Sequence, residues 1–73
     1  LNHSELSDLA NFIRTVRDDM GITVLLVEHH MNLVMEVSDW IVVLNFGKKI
    51  AEGTPEEIQR NPEVIRAYLG DGN

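Results

Sequence analysis

Cysteine is absent from the 73-residue sequence, which excludes a disulfide framework, a thiolate metal site and a thiol nucleophile. Basic residues are scarce: six Lys and Arg stand against twelve Asp and Glu, a formal charge of −6 at pH 7. Surfaces that hold nucleic acid or anionic lipid gather Lys and Arg, so no nucleic-acid partner is expected. No apolar run approaches the roughly 20 residues of a membrane-spanning helix, and no basic-then-apolar leader opens the chain. An initiating methionine is missing too, and the chain is expected to be a piece of something longer. What is present is ordinary globular composition, 44% apolar and 25% charged, which argues against a disordered tail. A chain of this size supports one small domain with a marginal core.

Neither a repeat nor a low-complexity tract interrupts the sequence. Asn2-His3-Ser4-Glu5 predicts a helix start, with Asn2 as N-cap, Glu5 at N3 and Ser4 as a competing cap. Leu6, Leu9, Ala10, Ile13, Val16 and Met20 recur at helical spacing, and Gly21 stands where a left-handed residue closes a helix. Ile22 to Val27 is short, β-branched and almost continuously apolar, the pattern of a strand covered on both faces in a parallel sheet. A short helix is expected around Met31, Val34, Met35 and Val37-Ser38. Trp40 to Leu44 predicts a strand, Asn45-Phe46-Gly47-Lys48 a turn, and Lys49 to Gly53 the returning strand. Thr54-Pro55-Glu56-Glu57 and Asn61-Pro62-Glu63 each read as cap, proline and acidic first turn of a short helix, the second closed by Leu69-Gly70. The expected class is therefore α/β, ordered helix, strand, helix, strand hairpin, two short helices. A strand buried on both faces needs parallel neighbours, which 73 residues do not supply, so the sheet is expected to be incomplete.

Glu28, His29 and His30 form the one cluster of titratable groups placed for chemistry, at the expected C-terminal end of a buried strand. Ligands bind at that edge of open α/β sheets, and imidazole suits a phosphate oxygen because it can donate and change charge near neutral pH. Pattern alone favours the plainer explanation, that both histidines occupy a loop and cap the next helix. Adjacent histidines are expected to point apart, no second ligand cluster stands nearby and His-Glu-x-x-His is missing, so no metal site is expected. Ser4, Ser7 and Ser38 lack a Gly-x-Ser-x-Gly setting, and Gly47-Lys48 lacks the rest of a phosphate loop. Trp40 reads as a core or interface anchor, and Met31 with Met35 as helix packing.

Taken in order, Thr23 to Met31, Val37-Ser38-Asp39 and Ile41 to Ile58 closely resemble the C-terminal part of ABC transporter ATP-binding subunits. Val27-Glu28-His29 resembles the family's switch-histidine loop, and Gly53-Thr54-Pro55-Glu56-Glu57-Ile58 its usual sequel. Asn61 to Gly70 is similar to the tail of branched-chain amino acid importers, and Leu1-Asn2 to the end of the D-loop. Each motif is weak alone; their order and spacing carry the resemblance across essentially the whole chain. It implies part of a P-loop NTPase-like ABC ATPase domain over residues 1–53 and a short helical extension over 54–73. It further implies that His29 contacts the γ-phosphate of ATP and helps organise the attacking water, and that Asn2 communicates across an ATPase dimer. His30 departs from the usual Asp and Trp40 from a common Arg, which puts the loop's hydrogen bonding and the nearby surface in question.

The same resemblance implies ATP and Mg in the intact subunit, a second ATP-binding subunit and membrane-spanning importer subunits as partners. It places the protein in the cytoplasm, peripheral on the inner face of the membrane. The phosphate loop, glutamine loop, signature motif and Walker B acids are expected before Leu1, so the chain alone is expected neither to bind ATP tightly nor to hydrolyse it. The rival reading is a stand-alone acidic module that grips a protein partner through its Met- and Trp-bearing faces. Exposed strand edges and an uncovered sheet face are expected to promote self-association or partial disorder.

Overall fold

The computed structural model describes residues 2–69. They fall into two compact units, Leu1–Val37 and Ser38–Asn73. In the first, α1 runs from His3 to Arg14 and α2 from Met31 to Val37. Asn2 caps α1 as expected: its Oδ1 accepts the Glu5 N–H at 2.9 Å. Beyond Arg14 the helix widens into a π-helical turn, Thr15–Asp19. The Thr15 hydroxyl donates back to the Asn11 carbonyl at 3.0 Å, a bond that competes with the regular ladder. Met20 accordingly closes on the Thr15 carbonyl, five residues back. Gly21, at φ 67, then ends the helix, and the Ile22 N–H returns to the Val16 carbonyl at 3.1 Å.

Ala10, Ile13, Leu33 and Val37 form the core of this unit, with Leu6, Leu9 and Leu26 packed against it. Polar clips close its rim: Arg14 pairs with Glu36, and Arg17 Nη1 donates to the Val37 carbonyl. Met20 does not join the predicted stripe and is 62% exposed, because the widened turn shifts it off the face that Ala10 and Ile13 share. The larger correction concerns the predicted strand from Ile22 to Val27. This segment pairs with nothing among the described residues and is irregular, with Leu25 91% and Val27 89% exposed. Strand geometry is sustained by hydrogen bonds to a neighbour, and apolar composition alone does not supply one.

The second unit is built on a hairpin of β1, Ile41–Asn45, and β2, Lys48–Gly53. The strands pair antiparallel from Ile41↔Gly53 to Asn45↔Lys48, with a register shift between Val43 and Leu44. Val43 faces Ala51 and Leu44 faces Lys49, so Ile50 is the extra residue of a β-bulge. Phe46 and Gly47 make the two-residue turn with φ 52 and 76, the paired positive angles of a type I′ turn. Along β1 Ile41 and Val43 are buried while Val42 and Leu44 face outward.

Next, α3 spans Pro55–Arg60 and α4 spans Pro62–Val64, continued by a π-helical turn, Ile65–Leu69. Thr54 and Glu57 form the predicted capping box: Glu57 N–H donates to Thr54 Oγ1 at 3.3 Å and Thr54 N–H to Glu57 Oε1 at 2.9 Å. Asn61 Oδ1 takes the N–H groups of Glu63 and Val64 at 2.9 and 3.3 Å. Both short helices pack on β2 and bury Ile58 and Val64 completely. The Tyr68 hydroxyl donates to the Leu44 carbonyl, tying the last turn to the hairpin. The expected closure at Gly70 lies outside the described residues. In all, the chain is a small α/β structure with a two-stranded antiparallel sheet.

Candidate functional site

Glu28, His29 and His30 occupy the stretch between the irregular segment and the first turn of α2. The His30 carbonyl accepts the Val34 N–H at 3.1 Å, so helix formation anchors the C-terminal side of the loop. Glu28 organises the rest. Its Oε1 accepts the backbone N–H of His29 at 2.9 Å and that of His30 at 3.4 Å, and it lies 2.7 Å from His30 Nδ1. These contacts, led by the His30 ring, hold the Glu28 carboxyl down at about 2. An ionised carboxylate only accepts, so His30 Nδ1 carries the bridging proton and Nε2 is left as the ring's second nitrogen.

The His29 and His30 rings do not point apart as the sequence suggested. Their centroids are 4.5 Å apart with planes inclined by 35°, and His29 Nε2 stands 3.8 Å from Glu28 Oε1. Curling the backbone around the Glu28 carboxylate turns both side chains to one side. His29 is the outer group, its side chain 83% exposed, while Glu28 and His30 are 18% and 32% exposed beneath it. The sequence places Glu28 in this cluster but does not reveal that it is the common acceptor joining both histidines. Its signal was an acid immediately before two donors, short enough to reach the N–H groups one and two residues on.

Asn2 is placed separately. Its side-chain oxygen holds the start of α1, and it contributes nothing to the Glu28 group. Trp40 is not a core anchor: it is 59% exposed, and its Nε1–H donates to Glu52 Oε2 at 3.0 Å. Toward a nucleotide, the loop presents one exposed imidazole, while the adjacent N–H groups already serve Glu28. Two imidazoles and a carboxylate are not the donor set of Mg, which prefers oxygen ligands throughout.

Residues 48–72 match the family model described as branched-chain amino acid ATP-binding cassette transporter. Across 97% of the chain, the sequence is 54% identical to the high-affinity branched-chain amino acid transport ATP-binding protein BraF of Pseudomonas aeruginosa. The corresponding LivG proteins of Salmonella typhimurium and Escherichia coli are 52% and 51% identical over the same share. The chain belongs to the ATP-binding cassette family, in its branched-chain amino acid group. It spans 28% of the length of these three relatives. No solved structure matches it. In this ATP-binding cassette chain the matched stretch begins with β2 and runs through the capped helices, while the Glu28 loop lies ahead of it.

Proposed function

We propose that the chain is the C-terminal part of the ATP-hydrolysing subunit of an ABC importer for branched-chain amino acids. His29 acts there as the switch histidine. The observation that carries this reading is the 54% identity to a branched-chain amino acid transport ATP-binding protein over 97% of the chain, switch loop included. The geometry supports it: His29 is the exposed member of its cluster, on a loop that α2 anchors. Phosphoryl transfer depends on positioning and on stabilising charge around in-line oxygens, and an exposed imidazole can do both for a γ-phosphate. ATP and Mg would be held chiefly by a phosphate loop, signature motif and Walker B acids, none of which occurs in these 73 residues.

In this reading residues 1–53 complete the nucleotide-binding domain and 54–73 form its helical extension. Asn2 belongs to the D-loop that faces the second ATP-binding subunit. The assembly drives membrane-spanning subunits from the cytoplasmic face; among the described residues no helix is long and apolar enough to cross the membrane itself. His29→Ala in the full-length subunit is expected to lower ATP turnover about 100-fold while the subunit still binds nucleotide. Unchanged turnover would remove the assignment. The 73-residue chain alone is expected to show no saturable ATP binding by calorimetry, and micromolar affinity would contradict its dependence on the missing motifs.

A further inference from the structure

We propose that Glu28, His29 and His30 form a binding site for a divalent transition-metal ion of the zinc, cobalt or nickel class. The ligands are Glu28 Oε1 and one ring nitrogen from each histidine. Candidate ligand atoms of the three residues all lie within 4.8 Å of one another. Glu28 Oε1 is the hub, 2.7 Å from His30 Nδ1 and 3.8 Å from His29 Nε2. Ligands about 2.1 Å from a tetrahedral ion sit roughly 3.4 Å apart. Against that, the first separation of 2.7 Å is about 0.7 Å short and the second of 3.8 Å about 0.4 Å long, differences that side-chain rotations can take up.

The carboxylate is already fixed by the N–H groups of His29 and His30, the kind of support that orients a ligand before the ion arrives. Two imidazoles with one carboxylate form a borderline donor set that selects zinc, cobalt or nickel over Mg and Ca. The exposure of the His29 side chain leaves an entry path, and three protein ligands leave room for water. On binding, the His30 ring changes tautomer: Nδ1 gives up to solvent the proton it shares with Glu28, Nε2 takes one from solvent, and the freed Nδ1 lone pair turns to the metal. None of this uses the phosphate-sensing role of His29, and the test contains no nucleotide.

The 73-residue chain is titrated with zinc chloride by calorimetry and with cobalt by visible absorption. One ion per chain is expected, with a cobalt spectrum of nitrogen and oxygen ligation. His29→Ala, His30→Ala and Glu28→Gln should each weaken zinc binding about tenfold or more. His3→Ala, in α1, should leave it unchanged, and magnesium chloride should give no saturable heat. Proton NMR of the unaltered chain requires no variant: zinc should move the ring signals of His29 and His30 and spare those of His3. Absence of saturable zinc binding overturns the site. So does binding that moves the His3 signals as much as the others, or that survives replacement of both loop histidines.

Discussion

At φ 52 and 98% exposed, Phe46 holds a left-handed backbone without burying its ring. Asn adopts that conformation more readily, and Asn-Gly is the preferred sequence of a type I′ turn. Phe46→Asn is therefore expected to stabilise the hairpin by about 1 kcal/mol, read as a higher urea midpoint. A lower midpoint would show that the ring supports the fold. Thr54 presents the opposite case. Thr54→Ala removes the α3 cap and should cost about 1 kcal/mol. The Glu57 carboxyl is held below the ordinary carboxylate range, first by the Thr54 N–H and then by its hydroxyl. Because the folded form favours the ionised group, this contribution is complete above the ordinary carboxylate range and is lost as pH falls through the lowered value. Glu57→Gln should flatten that part of the acid-side decline in stability; an unaltered profile would exclude Glu57 as its source.

Elements closed by their own neighbours were legible in the residues, and an element needing a distant partner was not. Asn2, Gly21, Thr54-Pro55 and Asn61-Pro62 marked helix boundaries because caps and positive-φ closures are decided within a few residues. The hairpin was legible too, except for the bulge at Ile50, which no residue type announces. The π-helical turn after Arg14 was hidden because Thr15 is compatible with either ladder. Residues 22–27 carry strand composition without a strand, since the ladder itself lies between segments. At the site, the place of His29 just before α2 was readable, but the buried strand expected to lead into it does not form, and the Glu28 hub follows from a local curl that spacing does not encode. Leu25→Pro separates composition from structure at this element. In the 73-residue chain it should leave the circular dichroism nearly unchanged, because no ladder bond is lost. In the full-length subunit, where neighbouring strands are expected to pair with residues 22–27, it should markedly lower stability, because proline removes a ladder hydrogen bond. Marked loss of structure in the short chain would show that residues 22–27 are ordered by something other than pairing.

For the molecule as a whole, a net charge of −6 opposes association between copies, while the exposed side chains of Leu25 and Val27 are expected to favour it. Light scattering of the chain at moderate salt is expected to show species heavier than a monomer, reduced by the double change Leu25→Glu and Val27→Glu. A clean monomer would overturn that expectation. The two-residue turn at Phe46-Gly47 has a consequence for the order of events. Closing so short a loop is a microsecond process, so β1 and β2 can zip as soon as both have left the ribosome. Residues 22–27 emerge earlier, yet among the described residues they have no strand partner to wait with. During synthesis the earlier-made segment would thus be the later to find shelter, and chaperone capture should map to it and not to the hairpin.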